Sequence, residues 1–295
     1  MARSTLIQTA RLIAIGLLLG SVANAAVVQV GDYGLGEAGT VGPEASHFVP
    51  LVDSSTANDG AANNITYFQG GGSGWNVDLV TSGLAAPGST AALELVQGGS
   101  GNSGWATTVP SYGLADNWVA QLWFKTPTDT STGDSKVFFG SDDNNASTLE
   151  LELYQGRVNV LQHLNLPSPT RMDGFAYTVG EWFQVSLMCY HGQVRLYNGT
   201  NTPPVATSTA FSAHTLGDLR LGFGYQAPYG RGATGVFDSL RVWRFDATDS
   251  LASVEASLGL GGGRALAPTF SEWGTVALAL FLLAMGYWRL RRQRA

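Results

Sequence analysis

From residue 118 onward most of the chain's apolar runs alternate with polar positions at a period of two. The runs are WVAQLWFK (118–125), KVFFG (136–140), TLELELY (148–154), RVNVLQH (157–163), WFQVSLMCY (182–190), QVRLYNG (193–199), LRLGFGY (219–225) and VFDSLRVWRF (236–245). Successive side chains of an extended strand point to opposite faces, so such a run predicts a strand with one face on a core. In TLELELY the leucines 149, 151 and 153 share one face; Glu150 and Glu152 share the other and read as solvent-facing. Gln155-Gly156 and His191-Gly192 each separate two runs by only two residues, which predicts two tight hairpins. Antiparallel hairpins at this spacing predict an all-β sandwich or jelly roll. The stretch 54–117, with the near-repeats QGGGSGW and QGGSGNSGW, carries weaker strand signals and is expected to be rich in loops.

The two ends follow a different pattern. Arg3 and Arg11 precede an apolar run from Leu12 to Val22 and then Ala23-Asn24-Ala25, the order of a secretory signal helix with its cleavage site, which assigns residues 1–25 to a signal peptide. At the other end the apolar run from Trp273 to Trp288 has 16 residues. As a helix it reaches roughly 24 Å, a marginal membrane span that flanking residues extend to about 273–290. Arg289, Arg291, Arg292 and Arg294 follow at once and act as a stop-transfer cluster, placing the C-terminus in the cytoplasm and the body across the membrane. Between these ends lie one domain, 26–247, and a stretch of small and Gly-rich residues, 248–266, expected to be a flexible linker.

Charge and composition narrow the chemistry. Without the signal and the tail the chain carries 21 acidic against 10 basic side chains, a net charge near −11 that argues against nucleic acid or anionic lipid as partner. The sole cysteine, Cys189, allows no internal disulfide and alternates with Phe183, Val185 and Leu187, so it is expected in a core rather than at a reactive site. Histidines 47, 163, 191 and 214 have no metal-ligand spacing, and no nucleophile elbow or phosphate loop is present. Trp123 shares a strand face with Gln121 and Lys125, a grouping able to stack on a sugar ring and hydrogen-bond its hydroxyls.

Two parts of the chain resemble known families. VGEWFQVSLMCYHGQVRLYNGT resembles the central hairpin of laminin-G-like, concanavalin A-like domains, and GVFDSLRVWRFDA resembles their closing strand; NWVAQLWFKTP and the opening YGLGE match their early segments. The resemblance implies a jelly-roll sandwich that binds carbohydrate or matrix. It also implies a structural Ca²⁺ at Asp238, with Glu37 as a second ligand. Glucanases share this fold, but their acid and nucleophile stand in a Glu-x-Asp-x-(x)-Glu run, and Glu150-Leu-Glu152-Leu-Tyr154-Gln155 lacks the last carboxylate, so the chain is read as no enzyme. A diverged glycoside hydrolase, using Glu152, is the alternative.

The tail APTFSEWGTVALALFLLAMGYWRLRRQRA, 267–295, is similar to the IPTL-type C-terminal sorting signals that exosortase-family proteases of Gram-negative bacteria process. Pro268, Thr269, Ser271, Glu272, Trp273 and Gly274 match the recognition motif, whereas Ala267 and Phe270 replace the usual Ile and Leu. This resemblance implies two processing partners, signal peptidase and an exosortase-like protease. The C-terminal helix would then hold the protein in the inner membrane for a time, before transfer to the cell surface or release. A permanently anchored structural matrix protein is the alternative.

Overall fold

The apolar faces of the alternating runs close on each other as two antiparallel sheets. The computed structural model describes residues 27–35, 51–53, 64–69, 76–81, 85–96, 104–109, 112–142, 149–162, 170–200, 202–209, 214–222 and 232–261. The expected signal peptide, the sorting motif, the tail helix at about 273–290 and the arginine cluster lie outside these residues. No helix among the described residues is long and apolar enough to cross a membrane.

One sheet runs in the order β15 (Ala206–Thr207), β14 (Gln193–Asn198), β13 (Phe183–Tyr190), β8 (Trp118–Lys125), β18 (Gly235–Arg244), β5 (Ala91–Val96) and β4 (Asn76–Thr81), with β1 (Val28–Tyr33) also paired to β18. The second runs β12 (Thr170–Ala176), β11 (Arg157–Gln162), β10 (Leu149–Tyr154), β9 (Lys136–Asp142), β17 (Asp218–Leu221), β6 (Gly104–Val109), β3 (Asn64–Gln69) and β2 (Leu51–Asp53). A small ribbon pairs β16 (Thr215–Leu216) with β7 (Leu114–Ala115). The all-β sandwich expected from the alternation is therefore present. The stretch 54–117 departs from expectation: it supplies β3, β4, β5 and β6, which pair with both sheets. Backbone pairing to strands far along the chain makes these strands, a long-range effect that local composition does not register.

Both expected hairpins form. Gln155 and Gly156 turn β10 into β11 with φ of 50° and 69°, and His191 and Gly192 turn β13 into β14 with φ of 49° and 77°. Positive φ at both central residues gives the turn whose twist matches that of the strands. Inside the sandwich Trp118, Ala120, Leu122 and Phe124 of β8 and Phe183, Val185, Leu187 and Cys189 of β13 face Leu149, Leu151, Leu153, Val158 and Val160 of the opposite sheet. Phe124 and Phe138 stack across the two sheets with ring centroids 4.5 Å apart. A bulge in β9, opposite Leu151 and Glu152, turns both Phe138 and Phe139 into the core. Trp118 is fully buried and its indole N–H donates to the His214 carbonyl at 2.7 Å, so burying this polar edge leaves no unmet hydrogen bond. At Gly235 a Cβ would overlap the Phe124 ring and the Lys125 carbonyl, so only glycine lets β18 approach β8 this closely.

The expected flexible linker begins instead with ordered structure. Leu251–Leu258 form α1, which starts at Ser250, whose side chain accepts from Ser253 N. It ends at Gly259 (φ 65°), with Gly259 N–H donating to Ala256 and Leu260 N–H to Glu255, the paired bonds of a Schellman stop. Val254 and Leu260 bury themselves against Val119, Met188, Tyr197 and Phe245 on the outer face of the β8 sheet. Tyr197 donates to Glu255 at 2.7 Å and Tyr190 to the Asp249 carbonyl at 2.9 Å. Through residue 261 the chain therefore belongs to the folded body.

Candidate functional site

Among the described residues α1 covers one end of the outer face of the β8 sheet, and a cleft lies towards the other end. On β8, Val119 lies under the helix and Trp123, four residues on, stands at the cleft end. Antiparallel register sets Gln184 of β13 directly opposite Trp123. A cleft of about 340 Å³ opens here, lined by Trp123, Trp182, Tyr177, Gln184, Glu181 and Asn198, over a floor that includes Phe175 and Phe183.

Local bonds hold the walls in place. Gly180 (φ 79°) turns the chain between Thr178 and Glu181, and its N–H donates to the Thr126 carbonyl at 2.8 Å, tying this turn to the end of β8. Gly199 N–H donates to the Gln184 carbonyl at 2.8 Å, fixing the opposite wall. The Tyr177 hydroxyl donates to the Thr128 carbonyl at 2.8 Å, which pins its ring beside Phe183. The polar groups that remain are open. Among the described residues the indole N–H groups of Trp123 and Trp182, the side-chain amides of Gln184 and Asn198 and the Glu181 carboxylate have no hydrogen-bond partner. Flat aromatic faces beside unsatisfied donors and acceptors are what a pyranose ring, apolar on its faces and hydroxylated at its edge, requires.

Of the two residues the sequence pointed to, Trp123 belongs to this cleft and Gln121 does not. Gln121 is only 6% exposed and its Nε2 donates at 2.8 Å to Ser186 Oγ, so its amide is committed to a cross-strand bond. The sequence reading missed Trp182, Gln184, Tyr177, Glu181 and Asn198. Trp182 and Gln184 are visible in GEWFQV, but only the β8–β13 register brings them to Trp123.

The two glutamates of β10 depart from expectation as well. Glu150 and Glu152 are buried, not solvent-facing. Glu152 accepts from Ser135 Oγ at 2.5 Å and forms an ion pair with Arg171, whose guanidinium lies 3.9 Å from the centre of the Tyr154 ring. The hydrogen bond to Glu152 raises the Arg171 pKa further above its ordinary value. A carboxylate held by an arginine and a hydroxyl is fastened as a structural group.

Asp238 is fully buried beside a bulge at Ser239 (φ 48°) in β18. One oxygen accepts from Ala86 N–H at 2.9 Å and the other from the hydroxyls of Ser89 and Ser239, each at 3.0 Å. A calcium ion needs a ring of oxygen acceptors, and an amide hydrogen aimed at the carboxylate opposes it. The described surroundings of Asp238 therefore do not fit the ion, no cluster of three His, Cys, Asp or Glu occurs among the described residues, and Glu37 lies outside them. Cys189 is buried, and its Sγ donates to Asp116 at 3.0 Å; burial pushes the thiol pKa far up, which leaves it unreactive.

No protein-family model and no curated protein matches the chain. Solved structures do. One is of botulinum neurotoxin type C, whose cell entry depends upon interaction with two ganglioside molecules: TM-score 0.50, 12% identity, 78% of this chain and 51% of that one covered. Another is the binding domain of botulinum neurotoxin serotype D/C, with TM-score 0.49, 12% identity and coverage of 78% and 52%. Domain 4 of the arabinanase AbnA from Geobacillus stearothermophilus, in complex with arabinotriose, has TM-score 0.47 and 19% identity, with 70% of this chain and 92% of that one covered. The match spans about half the length of the neurotoxin chains. At 12% identity and a TM-score of 0.50 the likeness to the type C neurotoxin structure is one of fold alone.

Proposed function

We propose that this chain is an exported, non-enzymatic sandwich of the laminin-G-like, concanavalin A-like jelly-roll class that binds carbohydrate in the cleft beside Trp123 and Trp182. The observation that carries the reading is the cleft: two half-buried tryptophans and a pinned tyrosine beside open amide, indole and carboxylate groups. That a sandwich-containing toxin depends upon gangliosides for cell entry is compatible with such a role. The binding reading is favoured over glycoside hydrolysis because Glu152, the hydrolase alternative's key residue, is buried and ion-paired to Arg171. A glycan array probed with the full chain in detergent tests the proposal. Binding to a defined set of oligosaccharides is expected. Trp123→Ala or Trp182→Ala should weaken it about fivefold or more, since each stacked ring is worth on the order of 1 kcal/mol or more. Equal binding by wild type and both variants would remove the cleft from the account.

Delivery is proposed to run through the tail. Signal peptidase removes residues 1–25, the helix at about 273–290 and its arginines hold the protein in the inner membrane, and an exosortase-like protease reads Pro268, Thr269, Ser271, Glu272, Trp273 and Gly274 and cuts there. The mature protein then reaches the cell surface or the medium. Pro268 supports this reading, because proline ends a helix rising from the span and leaves the backbone extended for a protease. Intact-mass measurement on protein from the native host should find the segment after about Thr269 missing. Alanines at Pro268-Thr269 and Trp273-Gly274 should make the full-length form accumulate in the inner membrane. A wild-type product still ending in Arg294-Ala295 would leave the permanent anchor standing.

A further inference from the structure

The cleft's charge is one-sided. Among the described residues that line it, Glu181 is the one ionisable side chain besides Tyr177, whose hydroxyl is already engaged with Thr128. Glu181 is exposed, its carboxylate has no hydrogen-bond or ion-pair partner among the described residues, and it stands next in sequence to Trp182. Lys125 sits on the Trp123 face two residues further along β8, but it does not line the cleft. The exported part of the chain is itself acidic, near −11.

From this arrangement we infer that the cleft selects glycans bearing free amino groups, oligomers of glucosamine type, over anionic glycans. The inference rests on the carbohydrate reading above and deepens it. The aromatic faces take the apolar side of a pyranose whatever its substituents, so ring stacking sets affinity without discriminating charge. Discrimination then falls to Glu181. A protonated amine on the stacked sugar, or on its neighbour, meets the carboxylate in a charge-assisted hydrogen bond. A uronate or sulfate meets a like charge, with no basic lining group to offset it. The negative field of the whole body acts in the same direction at longer range and raises the local concentration of cationic chains. Acetylating the amine removes its charge and leaves the ring, so the acetylated oligomer isolates the Glu181 contribution.

Titrations of the full chain in detergent, in mildly acidic buffer, with glucosamine tetramer, N-acetylglucosamine tetramer, cellotetraose and galacturonate tetramer separate the possibilities. The glucosamine tetramer should bind about fivefold more tightly than its acetylated counterpart, a margin that matches a solvent-accessible ion pair. Glu181→Gln should abolish that margin, and a melting curve coincident with that of the wild type shows that the variant is folded. High salt should shrink the margin in the wild type. Equal affinity for the two glucosamine forms, a margin that survives Glu181→Gln, or preference for galacturonate would overturn the selectivity while leaving carbohydrate binding intact. Binding of none of the four sugars by the folded wild type would overturn the inference, and with it the site's reading as a cleft for hexose chains.

Discussion

A chain ending at Asp246 should melt about 10 °C or more below one ending at Gly261. The difference removes α1 and the turn after it. Val254 and Leu260 are fully buried against Val119, Met188, Tyr197 and Phe245, and burying two such aliphatic side chains stabilises by about 3–6 kcal/mol. The shorter chain also leaves Tyr197 and Tyr190 without Glu255 and the Asp249 carbonyl. For a domain of this size each kcal/mol moves the midpoint by about 2–4 °C. Calorimetry on the two chains measures the effect. Coincident melting curves would return residues 248–261 to the status of a spacer.

The second large effect concerns the Glu152–Arg171 pair. Arg171→Met takes the guanidinium away from a fully buried carboxylate that Ser135 also bonds, and removing one partner of a buried pair costs about 3–5 kcal/mol. One third of the Arg171 side chain is exposed, so solvent screens part of the interaction and the expected loss is about 2–3 kcal/mol. The double replacement Arg171→Met with Glu152→Met should recover most of it, because the Glu152 carboxylate is then no longer buried without its partner. Chemical denaturation of the three variants gives this cycle directly. If Glu152 were instead the nucleophile or acid of a hydrolase, Glu152→Gln would abolish turnover of a β-glucan at little cost in stability. The two accounts thus diverge on one residue.

The strands after residue 118 were legible because each carries its own alternation and two of the turns carry glycine at the position that needs positive φ. Those between 54 and 117 were not. Their distant partners are β17 and β18, far along the chain, and their glycine-rich surroundings read as loops. The helix α1 was hidden by its small residues, although Ser250 and Gly259 mark its ends as clearly as longer helices are marked. Glu150 and Glu152 show a different limit. Alternation assigns them correctly to the face opposite the leucines, but whether that face meets water depends on what packs over it, and Arg171 comes from another strand. The site divides along the same line. Trp123 could be singled out on its own strand, whereas Gln121 was wrongly joined to it and Trp182 and Gln184 were overlooked, because only the antiparallel register specifies which neighbours reach a side chain.

The most direct test of the cleft is to follow the tryptophan indole N–H resonances by NMR while the full chain in detergent is titrated with oligosaccharide. The chain has eight tryptophans. Two line the cleft with open N–H groups, whereas Trp118 is buried with its N–H on the His214 carbonyl and serves as an internal reference. The account predicts that the resonances of Trp123 and Trp182 shift together and saturate while that of Trp118 stays in place. Saturable binding that moves neither Trp123 nor Trp182 would contradict it.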